Sequence, residues 1–104
     1  MAWFYLFVAG VLEIGWSIGL KYTHGFTRPV ATAFTLAAMV ASVVFLAQAV
    51  RTLPLGSSYA IWAGIGTIGT AIVGVVAFGD ALTLARAACL LAIGGGIVGL
   101  KLAT

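Results

Sequence analysis

Apolar residues fall in four long runs along the chain: about Ala2 to Leu20, Val30 to Val50, Ser57 to Phe78 and Leu84 to Ala103. Each is nearly continuous and about twenty residues long, which at about 1.5 Å per helical residue matches a hydrocarbon core about 30 Å thick. The pattern predicts helices. Strands of a membrane barrel would run to about ten residues with alternating polar and apolar positions. Between the runs lie Lys21 to Pro29, Arg51 to Gly56 and Gly79 to Thr83, short connections rich in turn formers and polar side chains. The expected architecture is an all-α integral membrane protein, with residues 1–104 forming one domain of four transmembrane helices.

Composition agrees. Hydrophobic residues make up 63% of the chain and charged residues 7%, against roughly 45 to 50% and 25% in soluble domains. The first run is expected to remain as a span. It is longer than the apolar part of a secretory signal, has no basic region ahead of it and contains a glutamate. Cys89 is the single cysteine, so no disulfide can form within the chain, and its default role is packing.

The formal net charge of +3 comes from Lys21, Arg28, Arg51, Arg86 and Lys101, scattered singly near the expected span ends. Such singles read as interfacial anchors rather than a nucleic-acid footprint, which needs clustered basic residues. Four spans place Lys21, Arg28 and Arg86 on one side of the membrane and Arg51 and Lys101 on the other. The terminal amine joins the smaller group, so the bias that normally fixes orientation is nearly absent. An inverted, antiparallel pair of identical chains is therefore physically accessible. Four short helices leave little room for a water-filled site, which favours a cavity between chains. Gly15 and Gly19 in the first run, and Gly95 and Gly99 in the last, have the small-xxx-small spacing that lets membrane helices approach closely. For Gly95 and Gly99 a dimer contact is expected over packing within the chain.

Glu13 is the one acidic residue inside a span. A charge near the bilayer centre costs several kcal/mol, about 2.5 to 3.5 for Asp on insertion scales, so a retained carboxylate points to ions, protons or substrate. No basic residue lies in the middle of any span to neutralise it. Ala9, Gly10, Trp16 and Ser17 share its helix face, a combination of small groups, an indole and a hydroxyl that can line a cavity. In the third run, Tyr59 and Trp62 are followed by Ala63 and Gly66 down one side. Tyr59 reads as structural, whereas Trp62 can serve packing or a site; its indole N–H needs an acceptor, for which a carboxylate of another span is the natural choice. Ser42, like Thr35 and Gln48, can bond its own helix backbone, the usual fate of a membrane serine.

Two further patterns carry no chemistry. Gly64-Ile65-Gly66-Thr67-Ile68-Gly69 matches G-x-G-x-x-G, but no strand precedes it, so the dinucleotide-binding reading fails and close packing or bending of the third helix is expected instead. Glu13 and Asp80 lie in different environments and make no catalytic pair, and His24 sits in a loop. Neither an enzyme, a metal site nor a cofactor is indicated.

Two stretches together carry a family resemblance: Glu13-Ile14-Gly15-Trp16-Ser17 continuing through Leu20-Lys21-Tyr22-Thr23-His24-Gly25-Phe26-Thr27-Arg28, and Leu53-Pro54-Leu55-Gly56-Ser57-Ser58-Tyr59-Ala60-Ile61-Trp62-Ala63-Gly64-Ile65-Gly66. Over essentially its full length the chain resembles the small multidrug resistance transporters, most closely their guanidinium-exporter subtype, to which Trp16 and the Lys-Tyr-Thr-His-Gly-Phe run point. The resemblance implies an antiparallel, dual-topology homodimer in the bacterial inner membrane. It implies further that Glu13 binds substrate and protons in competition, that Trp16, Ser42 and Trp62 contact or orient it, and that Tyr59 lines the same site. Ser58, Ala63 and Asp80 depart from the family pattern, and Ala63 removes a possible hydrogen bond near Trp62. The implied activity is proton-coupled antiport of guanidinium or small guanidinyl cations. The alternatives are a polyspecific exporter of quaternary ammonium and other hydrophobic cations, a small dual-topology ion channel, and a partner subunit that works only in a heterodimer.

Overall fold

The computed structural model describes residues 2–103, which form four helices: α1 (Ala2–Tyr22), α2 (Pro29–Ala49), α3 (Leu55–Phe78) and α4 (Leu84–Ala103). All four are long and apolar enough to cross a membrane, and the chain is a multi-pass membrane protein. The limits differ from the sequence expectation by at most two residues at each end, for local reasons. α2 begins on Pro29 because a proline at the first helical position forfeits an N–H that would have no partner. α3 starts two residues early because Pro54 serves as its N-cap and the carbonyl of Pro54 accepts the Ser58 N–H at 3.0 Å.

The connections are short and internally bonded. Thr23 is almost fully buried; its hydroxyl donates to the Leu20 carbonyl at 2.8 Å and accepts the Phe26 N–H at 3.2 Å. That bracket holds His24, Gly25 and Phe26 with φ of 49°, 71° and 68°, a left-handed run in which only the glycine is free of steric cost. At the far end of α3, Gly79 (φ 71°) closes the helix in the left-handed conformation while the Asp80 N–H donates to the Gly74 carbonyl at 3.0 Å. Thr83 then starts α4, its hydroxyl accepting the Arg86 N–H at 3.1 Å.

α1 is the central helix. It lies antiparallel to α2 and parallel to α3, whereas the α4 backbone approaches only α3. Leu6, Ala9, Leu46, Ala49, Ile61 and Trp62 form the buried core where α1, α2 and α3 meet. Glycine lets the backbones come this close. A Cβ on Gly10 would lie 2.7 Å from Ile65, and one on Gly64 would lie 2.6 Å from Ile97 of α4. Gly69 takes the Ile14 side chain, and Gly19 takes Thr35. The glycines at 64, 66 and 69 thus serve close helix packing, as the sequence predicts. The chain measures 41 × 35 × 16 Å, and with helices packing at about 8 to 10 Å a slab that thin holds about two layers. No sealed chamber fits inside it.

Candidate functional site

Glu13 sits in the middle of α1 with 8% of its surface exposed. Its carboxylate lies directly on the Cα of Gly66 in α3; a Cβ there would overlap the carboxylate itself. The parallel run of α1 and α3 explains the meeting, since Gly10 faces Ile65 one turn before and Ile14 faces Gly69 just after.

The chain's cations are engaged elsewhere. Lys21 Nζ stands 4.8 Å from the centre of the Phe78 ring at one end of the bundle, and Lys101 Nζ stands 4.8 Å from that of Trp3 at the other. Arg86 donates to the Ala81 carbonyl at 2.7 Å, and Arg51 to the Gln48 amide oxygen at 3.3 Å. Arg28 precedes α2 as its N-cap. All five belong to span ends or connections. Glu13 is left as a buried carboxylate without an internal counter-ion among the described residues, an arrangement that a stability role alone does not explain.

One turn before Glu13, a buried relay ties three helices together. The Ser42 hydroxyl donates to the Ala9 carbonyl at 2.6 Å and accepts the Trp62 indole N–H at 2.9 Å. Two expectations are corrected by this geometry. Ser42 does not bond its own helix, because α1 and α2 approach so closely at Ala9 that the hydroxyl reaches across. Trp62 finds its acceptor in that hydroxyl rather than in a carboxylate. Tyr59 packs edge-on against Trp62, with ring centres 5.3 Å apart and planes at 62°, yet is 56% exposed. Trp16, one turn after Glu13, has its indole N–H buried without a hydrogen-bond partner among the described residues.

Ser42 and Trp62 therefore meet Ala9 at the junction of α1, α2 and α3, one turn before the contact of Glu13 with Gly66. Tyr59 extends that patch outward, and Trp16 flanks Glu13 on the loop side. Gly95 and Gly99 are remote from it: they lie on α4, where a Cβ at either would meet nothing within 4 Å. Ala9 and Gly66, both placed on these helix faces by the sequence, take roles there that it did not specify. Ala9 acts through its carbonyl, which no sequence pattern reveals, whereas Gly66 stands four residues after Trp62, a spacing that places both on one face. An apolar groove of about 610 Å³ between α3 and α4 and a cavity of about 370 Å³ beside Asp80, Arg86 and Cys89 contain none of Glu13, Trp16, Ser42, Tyr59 and Trp62. Cys89 is exposed there, not packed in the core.

The family model described as Small Multidrug Resistance protein matches residues 1–93. A protein of Yersinia pseudotuberculosis named guanidinium exporter is 54% identical over 104 residues, covering all of both chains. Guanidinium exporters of Proteus vulgaris and Salmonella typhimurium are 52% and 51% identical over 104 residues, covering all of this chain and 100% and 99% of the relatives.

Proposed function

The chain belongs to the small multidrug resistance family, and from that premise we propose that it exports guanidinium or small guanidinyl cations in exchange for protons. The observation that carries this is Glu13: a single carboxylate within the spans, 8% exposed, with the chain's cations held at the span ends. Such a group can hold one proton or pair with one cation, and competition between the two couples their fluxes. Guanidinium is planar with forked donors, so a carboxylate accepts two parallel N–H bonds from it, and indole faces stack on its charge. Trp16 and Trp62, either side of Glu13 along the bundle, supply the indoles. Ser42 positions Trp62 and the α1 backbone, and Tyr59 closes the outer edge of the site.

The working unit is an antiparallel homodimer in the inner membrane of a bacterial cell, with the two Glu13 carboxylates facing one chamber that opens to either side in turn. Support comes from what one chain leaves uncovered. α4 has no buried position among the described residues, and Gly95 and Gly99 front open space. A slab 16 Å thick becomes chamber-forming only when a second one is laid against it. The near-balanced loop charges permit that second copy to be inverted.

The test is exchange in proteoliposomes. Purified chain is expected to move guanidinium against a proton gradient, and Glu13→Gln, which keeps the shape and removes the charge, is expected to abolish exchange. Coupled exchange surviving in Glu13→Gln would refute the proposal.

A further inference from the structure

The G-x-G-x-x-G stretch of α3 carries a second meaning at its middle glycine. Gly64 and Gly69 receive isoleucine side chains, Ile97 and Ile14, as helix-packing glycines do. Gly66 receives a carboxylate: the three atoms that a Cβ at Gly66 would meet first are Oε1, Cδ and Cγ, all of Glu13.

We infer that Gly66 is a positioning residue of the proton and cation site, its missing Cβ forming a seat into which the Glu13 carboxyl group withdraws when no cation holds it. This deepens the exporter reading and rests on it. In the seat the group has protein on one side and 8% of its residue surface exposed. A neutral, protonated acid rests against a glycine Cα at far lower cost than an ionised one, which calls for a counter-ion. Taking a guanidinium-type cation then requires the carboxylate to swing off Gly66, so seat and cation are alternatives for one side chain. The exchange of proton for cation becomes a movement between two places rather than a change of charge at one.

The surroundings offer no other titrating group to confuse the reading. α2 carries no charged or titratable side chain, and α3 carries only Tyr59, which lies seven residues, about 10 Å, before Gly66 and is exposed. On α1 itself Lys21 and Tyr22 lie at the far end beside Phe78, and Tyr5 packs near Phe45 at the other.

The experiment is a double-mutant cycle between the two positions, read by equilibrium guanidinium binding in detergent across a pH series. Gly66→Ala fills the seat, so it is expected to tighten guanidinium binding at least tenfold at low pH, where the protonated, seated acid competes with the cation, and to flatten the pH profile relative to the wild type. Glu13→Asp withdraws the carboxyl by about 1.5 Å, one C–C bond, and so eases the overlap with a Cβ at position 66, although a carbon at the Cγ position would still lie 2.7 Å from it. In the Glu13→Asp background the effect of Gly66→Ala is expected to shrink, because less of the side chain reaches the seat, so the two changes are not additive. Gly69→Ala, which presses on Ile14 alone, is the packing control and should keep the wild-type pH profile. Additive effects, a folded Gly66→Ala protein that binds guanidinium more weakly, or a Gly66→Ala profile superimposable on wild type would overturn the inference. If Gly66→Ala alone does not fold, folding restored by Glu13→Ala in the same chain supports the seat. Failure of that double variant to fold would mean that something other than Glu13 occupies the place, and the inference falls. Loss of exchange in Glu13→Gln with a benign Gly66→Ala would leave the exporter reading standing and remove only the seat.

Discussion

α1 and α4 are apolar helices of 21 and 20 residues, each with a pair of glycines four apart, and the fold uses them in opposite ways. Leu6, Ala9, Gly10 and Glu13 of α1 are buried between α2 and α3. α4 approaches only α3 with its backbone, reaches α1 through Lys101 over Trp3, and buries none of its described residues, with Leu84, Leu91 and Leu102 each more than three-quarters exposed. Glycine spacing does not separate the two. What separates them is whether a facing helix supplies a side chain to fill the space: Thr35 enters at Gly19, whereas Gly95 and Gly99 have nothing within 4 Å. Even within α1, Gly15 faces open space while Gly19 is filled. The structure thus divides into a self-contained three-helix wedge that carries Glu13 and a fourth helix whose outer face is left for lipid or another chain.

Substitutions can test that division, beginning with the largest effect. Gly69→Leu would drive its side chain into Ile14 in the wedge, where overpacking costs roughly 1 to 3 kcal/mol or more. Loss of the folded chain, seen as aggregation in size-exclusion chromatography, is the expected result. Gly99→Leu makes the same change on the open face of α4. It is expected to leave the chain helical by circular dichroism but to shift it from dimer to monomer, with exchange lost. A Gly99→Leu protein that remains dimeric and active would erase the contrast between the two helices.

A smaller effect is expected at the relay. Ser42→Ala leaves the Trp62 N–H and the Ala9 carbonyl without their shared partner. Hydrogen bonds between membrane helices average about 0.6 kcal/mol and reach about 1.7, so a modest fall in thermal midpoint should appear, with no change in oligomeric state. A collapse on the scale of Gly69→Leu would show that the wedge depends on this one hydroxyl. Gly15→Ala should cost least, since its Cβ enters open space, and its denaturation curve should overlay that of the wild type.

The wedge also makes a pH prediction with a definite sign. If a proton and a guanidinium compete for Glu13 as proposed, apparent guanidinium affinity should fall as pH is lowered and the slope should vanish in Glu13→Gln. Titration calorimetry at several pH values measures both. An affinity independent of pH in the wild type would separate proton binding from the Glu13 site.

The resemblance read from Glu13 to Arg28 and Leu53 to Gly66 agrees with the family match over residues 1–93. Helix limits were legible because Pro29, Pro54, Gly79 and Thr83 act locally, through a missing N–H, a fixed φ, a left-handed cap and a hydroxyl acceptor. Glu13 was legible for a different reason: a carboxylate in an apolar span is expensive wherever the other helices lie.

The sequence by itself determined that four helices cross the membrane, where they end, and that one of them carries an acid in its middle whose nearest cation along the chain, Lys21, lies two turns away at the span end. Periodicity, chain length and the cost of burying charge are properties of each segment alone. Only the tertiary structure decided that Ser42 spends its hydroxyl on Ala9 and Trp62, that Glu13 rests on Gly66, and that α4 stays uncovered. Those outcomes depend on the register between helices, and backbone carbonyls and missing Cβ atoms gain their chemistry only from the neighbour placed against them.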